Sequence, residues 1–405
     1  MLKKLAFALV LLVAGIVIGQ QLPRGAALFA TLGSLGSSAT TDYSTLKSHQ
    51  ALLDLEAMIG STRQLVLEDA RTEQEAVEGM RWVLRLVAQA SELAGDGNPK
   101  LPHFQRMDTL KRKLGGDNPD AEYEHAWIDG QYDYIITGNV GSVAYLGFTI
   151  NAGQGKSPRR NVDYISDKML SKDEDGNFTL ILAKEKPALA GDWIQIPADA
   201  SGILVRQYIA DRSTEVLPQL NIRVLGQQPE YVPPTDEGVA GLIEGASFTM
   251  LKLSTLHRYI LPELMEDTNS FIRATSENFG DDIAGTDNLY MLGSYQLDNH
   301  EALIIKVVPP QTRYWNLALE SRWHELPDYL HRPISRTMKE VEFEADGSVE
   351  FVVAHSDPGH PNWLDTSMHN FGFMTLRWLD AKSESVPMPE VRKVKFETLL
   401  KENGQ

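Results

Sequence analysis

Residues 349–379 read VEFVVAHSDPGHPNWLDTSMHNFGFMTLRWL, and this stretch indicates both the type of fold and where polar chemistry concentrates. Its two ends are rich in β-branched and aromatic residues, which favours strands at Val349–Val353 and Phe371–Leu379. Two prolines and a glycine interrupt any regular period in residues 355–369, which predicts a shaped connection between the two strands. Connections held by a rigid scaffold often carry binding and catalytic groups.

The same alternation extends outward from this stretch. Apolar residues occupy odd positions in 341–344 and 349–353, on both sides of Ala345-Asp346-Gly347-Ser348, and this pattern predicts a β-hairpin. Further short strands separated by turn residues are predicted within 132–139, 143–150, 178–183, 193–197, 203–208, 302–308 and 314–322. Closely spaced short strands are typical of a β-sandwich or a jelly roll.

The N-terminal third has a different period. Apolar residues at helical spacing predict amphipathic helices over Leu46–Ile59 and Glu73–Ala94. In the second helix we expect one apolar face formed by Val77, Met80, Leu84 and Val87. Residues 239–278, between the two strand-rich regions, also favour helices.

We therefore predict a mainly β chain with β-sandwich or jelly-roll-like domains, N-terminal helices and a helical insertion between the β regions. The changes of period give a leader over 1–24, a linker and helical region over 25–115, a first β domain over 116–235, a helical insertion over 236–285, a second β domain over 286–381 and a tail over 382–405. The sequence shows no internal repeat beyond this β–helix–β arrangement.

Composition narrows the classes of partner. The 405 residues carry a formal net charge of −17, and such an acidic chain repels phosphate backbones, which argues against nucleic acid as a partner. Cysteine is absent, which excludes disulfides, thiolate nucleophiles, zinc–thiolate sites and a lipoprotein anchor. No phosphate-loop, dinucleotide or Gly-x-Ser-x-Gly motif is present, and whether the protein uses a cofactor is unknown from the sequence.

The first residues predict export. Lys3 and Lys4 precede an apolar run of fifteen residues, Leu5–Gly19, with small residues before Gln20. This layout is typical of a secretory signal, although Gln20-Gln21 and later apolar residues can extend the run into a retained anchor. We expect a protein of the cell envelope, either periplasmic or held in the inner membrane by its N-terminus alone.

Three blocks of the chain resemble the bacterial proteins grouped as "domain of unknown function 1214". They are Asp117–Tyr123 with Tyr132–Phe148; Val205–Asp211; and a third block that begins at Arg313-Tyr314-Trp315-Asn316 and runs through His355–Thr366 to His369, Gly372 and Arg377-Trp378. The resemblance implies a β-rich architecture and no established activity. His360 departs from the family pattern, in which an aliphatic residue is expected.

The polar residues in and around 355–369 allow several kinds of chemistry. The catalytic candidates are the acid/base residues His355, Asp357, Asp365 and His369. The candidate ligand-binding residues are Arg322, Trp323, His331, Arg332, Trp363 and Arg377, in which arginines can hold a carboxylate and indoles can cover a sugar or apolar ligand. The spacing of the three histidines is not typical of a zinc site, and no metal is predicted.

Two functions remain open from the sequence. In the first, the protein is an envelope enzyme or binding protein with a small-molecule or glycan-like ligand in the second β domain. In the second, it is a non-catalytic structural or ligand-binding envelope protein, in which Asp357-Pro358-Gly359 is a turn and the histidines bond to the loop backbone. If His355, Asp365, His369 and Arg322 share one cleft, the first is favoured; if each is buried and paired, the second is.

Overall fold

The computed structural model describes residues 42–95, 97–107, 115–153, 160–226, 230, 232–255, 258, 262–274, 288–381 and 386–402. These residues form 18 strands in four sheets, together with five helices, so the predicted mainly β fold with helical additions is confirmed. The apolar run 5–19 and the rest of the predicted leader lie outside the described residues. Within the described residues, no helix is long and apolar enough to span a membrane.

The first nine strands make one β-sandwich. They are β1 Gln105–Arg106, β2 Ala121–Trp127, β3 Tyr134–Asn139, β4 Tyr145–Ala152, β5 Arg160–Ser166, β6 Asn177–Ala183, β7 Asp192–Gln195, β8 Ala200–Tyr208 and β9 Gln219–Val224. The five-stranded sheet has the order β1-β2-β8-β4-β5, and the four-stranded sheet has the order β7-β6-β3-β9. Residues from both sheets, such as Phe148, Leu180 and Val205, form a common core.

The last nine strands repeat this topology. They are β10 Ser270–Arg273, β11 Asn288–Gln296, β12 Glu301–Val307, β13 Trp315–Glu320, β14 Ser335–Thr337, β15 Val349–Ala354, β16 Trp363–Asp365, β17 Phe371–Leu379 and β18 Glu390–Lys395. Their sheets have the orders β10-β11-β17-β13-β14 and β16-β15-β12-β18, which are the orders of the first sandwich with every strand number raised by nine. The single parallel pair of each sandwich, β6–β7 and β15–β16, also corresponds. The chain therefore contains two structural repeats, and the expectation that it has none was wrong.

The helices are α1 Lys47–Asp69, α2 Glu73–Gly95, α3 Asp236–Ser254, α4 Glu263–Glu266 and α5 Phe396–Glu402. The three longest, α1, α2 and α3, pack against one another and against Trp323 of the second repeat. The start of α1 lacks a side-chain cap of its own, and the carboxylate of Asp236 instead accepts hydrogen bonds from the backbone N–H groups of Lys47 and Ser48, each at 2.9 Å. This contact joins the first turns of α1 and α3, because the unpaired N–H groups of a helix start need acceptors.

The buried face of α2 differs in part from the predicted one. Met80 and Val87 pack as predicted against the core between the helices, which contains Trp82. Val77 and Leu84 are instead 65% and 70% exposed. Both faces contain apolar residues at helical spacing, so the period alone does not say which face meets α1, α3 and the second repeat. The face of α2 that carries Trp82 is buried because the Trp323 side chain stacks on Trp82, with 5.1 Å between the ring centroids.

The predicted hairpin around residues 345–348 was wrong. Residues 341–344 form no strand, and β15 pairs instead with β12 and with β16. Asn362 takes the place of a strand partner, because its side chain accepts from the Glu342 N–H and donates to the carbonyls of Glu342 and Glu350, all within 3.0 Å. A side-chain amide thus satisfies backbone groups that a hairpin ladder would otherwise pair.

The two repeats meet through an aromatic stack. Tyr208 of β8 stacks on Tyr145 and on Tyr314, with 5.1 Å and 5.3 Å between ring centroids. Beside it, the Asn316 amide donates to Asn118 and Asp120 at 2.8 and 2.9 Å, and burial raises the pKa of Asp120 to about 6 despite this bond. A buried, hydrogen-bonded contact of this kind holds the two sandwiches in one arrangement.

Candidate functional site

The first half of the 355–369 connection forms turns. The exposed Asp357 carboxylate accepts the Gly359 N–H at 2.7 Å, which is an Asx turn. The Nδ1 atom of His355 lies 2.6 Å from the Thr366 hydroxyl, and the Nδ1 atom of His360 accepts the Asn362 N–H at 3.2 Å. These side chains satisfy groups within their own connection.

His369 connects the second repeat to α2. It is buried, its Nδ1 lies 2.9 Å from the carbonyl oxygen of Thr366, and its Nε2 lies 2.6 Å from Glu78 Oε2. Burial alone lowers the pKa of His369, but the hydrogen bond and charge of Glu78 outweigh it, so the pKa lies above its ordinary value. The imidazole therefore serves as a partner for a helix side chain.

Arg322 and Trp323 are anchored to the start of the same helix. The Arg322 Nε donates to Glu75 Oε2 at 2.8 Å, and both side chains are almost fully buried. The Trp323 indole N–H donates to the Glu75 carbonyl at 2.9 Å. A buried ion pair with a hydrogen-bonded, buried indole beside it forms a structural joint between the second repeat and α2.

The remaining predicted residues of this region are also paired or exposed. Arg332 donates to the buried Asp365 carboxylate at 2.7 Å, and Asp365 also accepts the Ser367 N–H at 2.7 Å. His331 is exposed beside Asp328, and the Trp363 indole N–H donates to the Ala354 carbonyl at 3.1 Å. His369 and Arg322 therefore both contact residues of α2. The four catalytic candidates do not line a common cleft. Among the described residues, no group of three or more His, Asp or Glu has the geometry of a metal site.

A large cavity lies elsewhere, between the two repeats and under α3. Its volume is about 600 Å³, and its walls are mostly apolar. It is lined by alternate residues of the two central strands, Gly202, Leu204 and Arg206 on β8 and Phe373, Thr375 and Arg377 on β17. The intervening residues, such as Val205 and Leu376, point into the sandwich cores. This alternation explains why all nine residues of β8 and all nine of β17 are buried.

Equivalent positions of the two repeats form the cavity wall. Tyr123 of β2 is opposite Arg206 in the sheet register, and Tyr290 of β11 is opposite Arg377. All four residues line the cavity. The duplication therefore places one tyrosine–arginine pair from each repeat at the wall of the same cavity.

The two arginines are strongly buried. Arg206 is 5% exposed and its Nη1 donates to the Thr149 hydroxyl at 2.9 Å. Arg377 is 3% exposed and its Nη2 donates to the Gly116 carbonyl at 2.7 Å. Its Nη1 has no hydrogen-bond partner in the described part of the chain. Buried guanidinium groups normally have full sets of acceptors, so the buried Nη1 of Arg377 is an exception.

The carboxylate of Glu320 is largely occupied. Its Oε1 accepts the Thr375 hydroxyl at 2.7 Å and lies 3.9 Å from Arg377 Nη2, while its Oε2 lies 3.2 Å from His324 Nδ1. The His324 ring also stacks on Phe373 with 4.0 Å between centroids. This end of the cavity wall is thus a fixed polar network.

The roof of the cavity is the glycine-rich face of α3. Gly238, Gly241 and Gly245 line the cavity, while Ala246 and Met250 pack against the other helices. A Cβ atom at Gly241 would meet no atom within 4 Å, because the space below it is open. The missing side chains therefore contribute volume to the cavity.

Of the ten predicted site residues, only Arg377 lines this cavity. Arg206, Tyr123 and Tyr290 were missed. The usable signal was an arginine within an otherwise largely apolar nine-residue strand, which both β8 and β17 contain. A charged residue in such a strand indicates a buried site or a buried ion pair.

The fold defines a class of protein with two tandem β-sandwiches and a helical layer over the cavity between them. Residues 120–212 and 295–383 match the model of the family described as "Protein of unknown function (DUF1214)", with one matched segment in each repeat, and the chain belongs to this family as its sequence indicated. No curated protein matches the chain significantly.

Two solved structures resemble this protein. An uncharacterised protein from Burkholderia cenocepacia is 28% identical with a TM-score of 0.80, and the match covers 87% of this chain and 98% of that one. The VPA0106 protein from Vibrio parahaemolyticus is 13% identical with a TM-score of 0.48, and the match covers 77% of this chain and 97% of that one. The first likeness confirms the fold.

Proposed function

We propose that this protein binds a small molecule in the cavity between its two repeats, and that it does so as a binding protein of the cell envelope. The cavity of about 600 Å³ carries the proposal. Pockets of roughly 300–1,000 Å³ with mostly apolar walls and a few placed polar groups are typical of small-molecule sites. The envelope location rests on the basic and apolar pattern of residues 3–19.

The arrangement favours binding over catalysis. Among the acid/base candidates, His369 bonds to Glu78 of α2 and so holds the second repeat to that helix. His355 and Asp365 bond to other residues of the 355–369 connection. The cavity wall offers donors at Arg206 and Arg377 and apolar surface at Leu204 and Leu292. Such a wall suits a ligand with an apolar part better than it suits a glycan, which needs many hydrogen bonds.

The test is a thermal-shift screen of a broad metabolite panel against the wild type, Gly241→Leu and Gly241→Ala. The leucine side chain extends from the roof into the cavity, whereas the alanine methyl group meets no neighbour. A ligand that stabilises the wild type and Gly241→Ala but not Gly241→Leu supports the proposal. Equal stabilisation of Gly241→Leu, or no stabilising compound in the panel, contradicts it.

A further inference from the structure

The two buried arginines lie at the same end of the cavity. Arg206 is two residues before Tyr208, and Arg377 is two residues before Leu379, whose N–H donates to the Tyr314 carbonyl at 3.0 Å. Tyr208 and Tyr314 stack on each other where the repeats meet. Two residues along a strand span roughly 7 Å. Arg206 and Arg377 therefore each lie about one pleat along their strand from the contact between the repeats.

The electrostatics of the surrounding groups agree with this placement. Burial alone lowers the pKa of Arg377, but Glu320 and then Tyr123 and Tyr290 raise it above its ordinary value. Burial raises the pKa of Tyr208, with Tyr123 and Tyr290 adding to the effect and Arg206 opposing it. Since Tyr123 belongs to the first repeat and Arg377 to the second, the two tyrosine–arginine pairs are electrostatic neighbours.

The positive charge of Arg206 has no close anionic match in the described part of the protein. Within the described ranges, Arg206 has no carboxylate partner within 4.0 Å, and it donates to the Thr149 hydroxyl. Arg377 forms a long ion pair with Glu320 at 3.9 Å, and Glu320 also accepts from Thr375. The Asp117 carboxylate, also at the cavity wall, accepts the Leu326 N–H at 3.4 Å. Burying the Arg206 guanidinium without a close anionic partner is unfavourable, so a bound anion would relieve it.

The remainder of the cavity wall is mostly apolar. Leu204 and Leu292 continue the two cavity faces away from the arginines, and Leu242 lies on the roof helix. A guanidinium fork matches the two oxygens of a carboxylate in bidentate geometry. We infer that the ligand is an amphipathic organic monoanion, whose carboxylate head pairs with Arg206 and Arg377 and whose apolar body lies under α3. This inference rests on the proposed function, since it names the class of ligand for the same cavity.

The probes are decanoate and the uncharged decanol, which share an apolar chain and differ in the head. Affinity is measured by titration calorimetry for the wild type, Arg206→Gln, Arg206→Lys, Arg377→Gln and Gly241→Leu, after circular dichroism has established that each variant is folded. We expect decanoate to bind the wild type about tenfold or more tightly than decanol, because a charge-assisted bond contributes about 1.5–3 kcal/mol. Each glutamine variant should lose most of that preference, and Arg206→Lys should retain part of it.

Different outcomes reject different parts of the account. If decanol binds as tightly as decanoate and Gly241→Leu abolishes both, the cavity is a ligand site but the anionic class is wrong. If decanoate binds equally to the wild type and to Gly241→Leu, the site itself is wrong. The comparison of decanoate with decanol in the wild type remains decisive even if Arg377→Gln, which loses the bond to Gly116, does not fold.

Discussion

Two regions of this protein contrast sharply: the connection 355–369, which holds the densest group of reactive side chains, and the facing strands β8 and β17, which are mostly apolar. In the connection, Asp357 closes a turn, Asp365 pairs with Arg332 and His369 pairs with Glu78 of α2. On the strands, Arg206 and Arg377 line a cavity, and Arg206 has no carboxylate within 4.0 Å among the described residues. The comparison teaches that paired polar groups hold elements together, while polar groups without close charged partners at a cavity mark where a ligand fits.

The largest expected effect concerns the joint between the second repeat and α2. Arg322→Ala leaves the buried Glu75 carboxylate without its charged partner, and we expect the free energy of unfolding to fall by about 3–5 kcal/mol. Chemical denaturation measures it. The matched control is His331→Ala, whose pair with Asp328 is solvent-exposed and should contribute little to stability. Equal effects in the two variants would show that the Arg322–Glu75 pair is not a structural joint.

The pH dependence of stability sharpens the same point. Because the pKa of His369 is raised in the folded state, its stabilising contribution is complete below the ordinary value of 6.5 and is lost as the pH rises through the folded pKa. The stability difference between the wild type and His369→Gln should therefore be larger at about pH 6 than at about pH 9. Urea denaturation at both pH values measures it.

Glu78→Gln is the control for that experiment. It removes the partner that raises the pKa of His369, so the difference between about pH 6 and about pH 9 should shrink. An unchanged pH dependence in Glu78→Gln would mean that another group holds the imidazole charge.

The smallest effect concerns the cavity roof and has the opposite sign. Gly241→Ala should raise the free energy of unfolding by up to about 1 kcal/mol, since alanine favours a helix and its Cβ meets no neighbour. The matched variant is Gly79→Ala in α2, whose Cβ would lie 2.4 Å from Val66 Cγ1 and 2.8 Å from the Trp323 ring, and which should destabilise. Thermal denaturation of both distinguishes an open roof from a packed one; destabilisation by Gly241→Ala would contradict the open roof.

Local patterns predicted the elements well where one residue type dominates. Strand β17 spans Phe371–Leu379 as its sequence indicates, and α2 begins at Glu73 as predicted. The hairpin at 341–353 failed because the amide of Asn362, distant in sequence, satisfies the backbone groups of Glu342 and Glu350. Alternation describes which residues fit a strand but not which strand pairs with it.

The repeat and the cavity were beyond local reasoning for a physical reason. The corresponding strands read ASGILVRQY in 200–208 and FGFMTLRWL in 371–379, and they share only the arginine. A sandwich core accepts many apolar side chains of suitable volume, so two copies can keep one topology with little common sequence. The cavity appears only when both copies and α3 are assembled.

The most direct test of the account is the affinity of decanoate for the wild type, Arg206→Gln and His355→Ala, measured by titration calorimetry under one set of conditions. Arg206 lines the cavity, while His355 lies in the connection and bonds to Thr366. We predict that Arg206→Gln weakens binding about tenfold or more and that His355→Ala binds as the wild type does. Loss of binding in His355→Ala with unchanged binding in Arg206→Gln would contradict the account and return the ligand site to the connection.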